Sequence, residues 1–141
     1  MRIKRVSDLI NEKYDEGSNP KKERVITKVK ASNNEDMEGG KEFDCLWDTG
    51  ATATLISKKV INALKLEKKG TSKISTIHGE ENSDVYEILL LLPKHKKPLK
   101  VTVASFDKRD GFDILIGMDI IQHGKFTLNN GTFDFVMSDY K

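Results

Sequence analysis

The sequence predicts a mainly β domain with one or two short helices. Three observations predict it. Val25, Thr27 and Val29 alternate with Ile26, Lys28 and Lys30, at the two-residue period of a strand. Apolar runs such as 88–92 and 112–116 have strand length, too short for core helices. Turn signals separate them, the clearest being Asn129-Asn130-Gly131. The 141 residues carry 24 basic and 22 acidic side chains, a net charge of +2, so the chain lacks the basic excess of a dedicated nucleic-acid binder. One domain is expected at this length.

The elements follow in order. Residues 1–22 read as an N-terminal extension, with Val6, Leu9, Ile10 and Tyr14 at helical spacing and Gly17-Ser18-Asn19-Pro20 ending it. The domain is assigned to 23–141. Strands are expected from Arg24 and over 43–48, joined by a polar hairpin loop at 33–40. Ser57 is expected to cap a helix running through Leu66, with Val60, Ile61 and Leu64 on its buried face. Strands then follow at 72–77, 84–92, 99–106 and 112–116. A short helix is expected over 118–123, stopped by Gly124, and two last strands over 125–128 and 132–137. Lys94, His95, Lys96 and Lys97 between Pro93 and Pro98 read as a charged hairpin turn, not a phosphate site.

Cysteine and histidine exclude some chemistry. The single Cys45 forms no internal disulfide, and with His78, His95 and His123 far apart in sequence no metal-ligand spacing exists. No metal or cofactor is expected. No run is long enough to cross a membrane as a helix, and Met1-Arg2-Ile3-Lys4-Arg5 leads into no long apolar segment. A cytoplasmic compartment is the default expectation, with no membrane or nucleic-acid partner.

The segment Cys45-Leu46-Trp47-Asp48-Thr49-Gly50-Ala51-Thr52 carries the chemistry. An apolar strand delivers one carboxylate and Thr-Gly follows at once. Burial at the strand end is expected to penalise its charge. Trp47 and Cys45 should face away from Asp48 into the core. Asp-Thr-Gly alone is weak, since chance supplies a given tripeptide at this length in roughly a few per cent of cases. Its context adds weight: Ala51-Thr52-Ala53-Thr54-Leu55-Ile56-Ser57 leads toward a helix, and Ile114-Leu115-Ile116-Gly117-Met118-Asp119 is a second apolar strand entering another. Asp119, at that helix start, reads as a cap or structural contact.

On these residues the chain resembles the retropepsin-like aspartic proteases, of a non-retroviral type, over roughly 24–137. The resemblance implies a small closed β-barrel and an aspartic endopeptidase working as a C2 homodimer on a peptide or protein substrate. It implies Asp48 as the catalytic acid. Thr49 locks the two active-site loops together, and Gly50 lets an N–H approach the carboxylate. Ala51, Thr52, Thr54 and Ile114 are expected to border the substrate, and Leu115, Ile116 and Gly117 to support the Asp48 loop. A flap is expected over the site, tipped by Thr76-Ile77-His78-Gly79-Glu80, with Ile77, His78 and Gly79 toward the substrate. Retroviral members commonly carry Asp and Arg where this chain has Thr52 and Met118, so a different dimer contact is implied.

Peptide hydrolysis by carboxylates needs a base for water and an acid for the carbonyl oxygen. One Asp-Thr-Gly supplies half of that pair, and a two-fold axis supplies the rest. Two other readings compete with this one. A phosphate-accepting Asp is disfavoured because Ala51 brings no second acid and the pattern is not βαβ. A dimerisation or peptide-binding module with little turnover remains the alternative, and an intact Asp48-Thr49-Gly50 argues against it.

Overall fold

The computed structural model describes residues 24–76, 79–107 and 111–138. These form β1 (Val25–Ser32), β2 (Lys41–Trp47), β3 (Leu55–Ser57), α1 (Lys58–Leu64), β4 (Gly70–Thr76), β5 (Gly79–Leu91) and β6 (Leu99–Phe106). They continue with β7 (Ile114–Ile116), α2 (Met118–Ile121), β8 (Gly124–Asn129) and β9 (Thr132–Met137). The N-terminal extension expected at 1–22, with its helical spacing, lies outside the described residues.

Seven strands pair in the order β1-β2-β7-β3-β6-β5-β4, and β1 also pairs with β5 through Lys30–Ser32 and Leu89–Leu91. The circuit β1-β2-β7-β3-β6-β5 therefore closes on itself, as the expected closed β architecture requires. β4 lies outside the ring, bonded only to β5 within this sheet. β7 runs parallel to β2 and antiparallel to β3, between the two. Flanked on both edges, β7 is a central strand, and Ile114, Leu115 and Ile116 are all buried.

Alternation fills the core. On β2, Phe43, Cys45 and Trp47 are buried while Asp44 and Leu46 are half-buried. Burial pushes the Cys45 thiol well above its ordinary value, because a thiolate there would lose its hydration. Trp47 donates its indole N–H to Thr27 Oγ1 at 2.9 Å. Its ring meets Phe133 at 4.9 Å and Phe135 at 5.0 Å between centroids, which seats the β8–β9 hairpin against β2. That hairpin turns at Asn130 and Gly131, with φ of 49° and 84°, the two positive values a tight two-residue loop needs.

Several expected boundaries shift for identifiable reasons. The sequence predicts only a lead into a helix over Leu55–Ser57; these three residues form β3 because they slot between β7 and β6. β7 starts at Ile114 and not at Phe112, because Asp113 leaves the regular ladder. Its N–H donates to Asp44 O and its carbonyl accepts from Ser57 N–H, both at 2.9 Å. Ser57 stands at the N-cap of α1 but does not cap it: its hydroxyl donates to Asp113 Oδ1 at 3.2 Å. α1 ends at Leu64 and not Leu66. Lys65 adopts the left-handed conformation (φ 52°), and Leu66 N–H returns to Ile61 O at 3.0 Å. α2 is shorter than expected, ending at Ile121.

The 93–98 segment is a turn, as expected, but His95 is not part of a solvated charged face. It is 8% exposed, its Nδ1 lies 2.9 Å from Pro93 O, and its Nε2 accepts Met137 N–H at 3.1 Å.

Candidate active site

Asp48 immediately follows β2. Its N–H donates to Ile116 O at 2.9 Å, which extends the parallel β2–β7 pairing by one bond. The chain then turns, with Ala51 N–H donating to Asp48 O at 3.2 Å. Within this turn Gly50 N–H donates to Asp48 Oδ1 at 2.8 Å. A Cβ at Gly50 would stand 3.2 Å from that same oxygen, so glycine keeps the carboxylate approachable. Thr49, Gly50 and Thr52 are exposed, and Ala51 is half-buried.

The acid is less buried than the sequence predicts. Asp48 is half-buried, on the face of β2 opposite Cys45 and Trp47. A single chain therefore leaves the carboxylate accessible to water.

Gly117 holds the loop from below. A Cβ there would lie 2.7 Å from Ala53 O and 2.9 Å from Ala51 O, both backbone atoms. Its neighbour Met118 donates its N–H to Ala51 O at 2.7 Å. The far end of the loop is fixed by Thr54. Its N–H donates to Asp119 Oδ2 at 3.0 Å and its hydroxyl to Asp119 Oδ1 at 2.8 Å, while Thr54 Oγ1 accepts Gly117 N–H at 3.3 Å. Asp119 also accepts Ile120 N–H at 3.0 Å, so it is a structural contact as expected.

Two expected substrate neighbours are buried within the chain. Thr54 and Ile114 have no exposed surface. Thr54 is committed to Asp119 and Gly117. Ile114 pairs with Cys45 and Ile56, which are equally buried, so it points into the core. The face that Asp48 shares carries Leu46 instead, in register with Leu115, which is in register with Leu55. Leu46 and Leu55 are half-buried. This apolar row has a signal in the sequence: the two-residue alternation that turns Trp47 inward turns Leu46 toward the side of Asp48.

The β4–β5 hairpin stands where the flap was expected, paired from Gly70↔Val85 to Thr76↔Gly79. Gly79 has φ 106°, a conformation that favours glycine. Ile77 and His78 lie outside the described residues.

The comparisons with known proteins agree with this arrangement. Residues 37–123 match the family described as "gag-polyprotein putative aspartyl protease". No curated protein sequence matches. Among solved structures, the chain is similar to EIAV protease complexed with the inhibitor HBY-793, with a TM-score of 0.53 at 19% identity, over 70% of this chain and 86% of that one. It is also similar to a retropepsin-like aspartic protease from Rickettsia conorii, with a TM-score of 0.51 at 18% identity, over 75% of this chain and 76% of that one. At such identities the likeness concerns the fold, while the family match spans most of the domain, including the Asp48 loop and the β7–α2 junction beneath it. The chain belongs to the gag-polyprotein aspartyl protease family and has the retropepsin-like fold.

Proposed function

We propose that the protein is an aspartic endopeptidase whose active site forms when two copies of Asp48 meet on a two-fold axis. The observation that carries this reading is the accessible Asp48 carboxylate, with Oδ1 held by Gly50 N–H at 2.8 Å, in a chain with one Asp-Thr-Gly. The chemistry then needs a second acid, and a symmetric copy brings one with the same geometry. Covering the site with a second chain would also exclude water and strengthen the carboxylates' interaction.

In this reading the two carboxyls share one proton, as is general for aspartic proteases. The ionised one removes a proton from water as the oxygen attacks the scissile carbonyl carbon. The protonated one donates to the carbonyl oxygen, giving a neutral tetrahedral diol. Collapse returns a proton to the leaving nitrogen and breaks the C–N bond. Thr49, exposed beside the acid, would contact the second copy, and the β4–β5 hairpin would close over the peptide. Leu46, Leu55 and Leu115 support apolar side chains next to the scissile bond, because an apolar row gains from burying apolar surface.

The test is cleavage of a mixed peptide library by purified protein across acidic to neutral pH, with Asp48→Asn as the comparison. Wild type is expected to cut between apolar residues, with activity per chain falling on dilution, and Asp48→Asn to be inactive. Equal inertness of both at dimer-forming concentration would favour a binding module instead. Full activity in a demonstrated monomer would refute the shared site.

A further inference from the structure

We infer that Asp119 is a positioning residue for the Asp48 carboxylate, acting through Thr54; the inference rests on the reading of Asp48 as the reacting acid. Residues 49–53 belong to no strand or helix, so their shape depends on the bonds at Ala51 and on what fixes their ends. One end is Asp48 itself, tied to Ile116 O. The other is Thr54, which has no exposed surface and so no water to replace a lost partner. Asp119 takes both Thr54 donors, N–H at 3.0 Å and hydroxyl at 2.8 Å, on its two oxygens.

This chelation orients the threonine. With its hydrogen committed to Asp119, Thr54 Oγ1 presents a lone pair to Gly117 N–H at 3.3 Å. Gly117 is the residue whose Cα passes under Ala51 and Ala53. One carboxylate therefore fixes the end of the loop and, together with the Met118 N–H bond to Ala51 O at 2.7 Å, holds the loop against the β7–α2 junction. The consequence at the reacting group is the Gly50 N–H bond to Asp48 Oδ1, which exists only while the turn keeps its shape. Asp119 is two residues beyond Gly117, so the glycine that approaches the loop and the acid that clamps it come from one short segment.

Only a carboxylate accepts on both oxygens at once. Asn at 119 can accept Thr54 N–H while donating to Oγ1, which keeps part of the clamp. Ala keeps none. Thr54→Val preserves the buried shape and removes the hydroxyl, whereas Thr54→Ser retains it.

The experiment measures kcat and KM of these four variants and the amide signals of Gly50, Thr54 and Gly117 by NMR. Asp119→Ala and Thr54→Val are expected to lower kcat by about 10- to 100-fold with KM changed far less, as loss of active-site alignment does. Thr54→Ser should stay near wild type and Asp119→Asn fall between. Combining Asp119→Ala with Thr54→Val should cost little more than either alone, because both break one linkage. The Gly50 amide signal should move, and Thr54 and Gly117 exchange faster, in Asp119→Ala. Wild-type kcat and an unmoved Gly50 signal in folded Asp119→Ala would overturn the inference. Should Asp119→Ala fail to fold, unchanged kcat in Thr54→Val would overturn it equally. A wild type that cuts nothing defeats the proposed function, and the Gly50 and Thr54 signals still decide whether the clamp shapes the loop.

Discussion

Replacing Gly117 by alanine tests the loop's support most directly. The backbone there is extended (φ −101°), a conformation alanine adopts freely, so the perturbation is one of space alone. The new Cβ would lie 2.7 Å from Ala53 O, 2.8 Å from Ala53 C and 2.9 Å from Ala51 O. Carbon–oxygen contacts settle at about 3.3–3.6 Å, so the junction must retreat by roughly 0.5 Å or more. Every atom in the way is backbone, which no rotamer change can clear. The retreat stretches the 2.7 Å bond from Met118 N–H to Ala51 O and the 3.3 Å bond from Gly117 N–H to Thr54 Oγ1. Overpacking of this kind costs about 1–3 kcal/mol. Urea unfolding should show that loss, and peptide cleavage should fall more steeply than stability, because sub-ångström misplacement of reacting groups costs about tenfold or more. A Gly117→Ala protein within ~0.5 kcal/mol of wild type, the scatter of neutral surface changes, and with full cleavage would show that the close approach has no consequence.

Two further outcomes follow from the core. Phe135→Ala removes a buried ring 5.0 Å from Trp47 and should destabilise by about 3–5 kcal/mol, with a red shift in the emission of the chain's single tryptophan. An unchanged melting temperature and spectrum would show that the β8–β9 hairpin is not seated on β2. Cys45 predicts a pH dependence. Its thiol is raised in the fold by burial, so the unfolded chain ionises first; the stability is intact below the unfolded value of about 8.5 and is lost as pH climbs above it. Cys45→Ala should be less stable at neutral pH but lose less on going to pH 10. Parallel stability curves for the two proteins would refute the assignment.

Much of the site was legible because its signals are local. Two-residue alternation placed Trp47 and Cys45 in the core, and the Asn-Gly pair located the β8–β9 turn. The same alternation, extended to Leu46, would have found the apolar row beside Asp48. Other features were not legible. The Ser57 hydroxyl had a choice between the α1 backbone and Asp113, and only the fold brings Asp113 near. The burial of His95 has no local signal among its lysine neighbours, because the strand that buries it, β9, comes far later in the chain.

The sequence by itself determined that this is a β protein of one family, with one Asp-Thr-Gly at the end of an apolar strand. Those are properties of residue type, order and period, and each is written within a few neighbouring positions. Tertiary structure alone decided which way the loop's residues serve. Thr54 lies on the same stretch as Ala51 and Thr52, yet it turns inward because Asp119 is folded against it. Ile114 and Leu115 are adjacent and both apolar, and only their register with β2 and β3 sends one to the core and the other to the side of Asp48. Hydrogen bonds and strand registers between residues distant in sequence depend on chain closure, which no local pattern encodes.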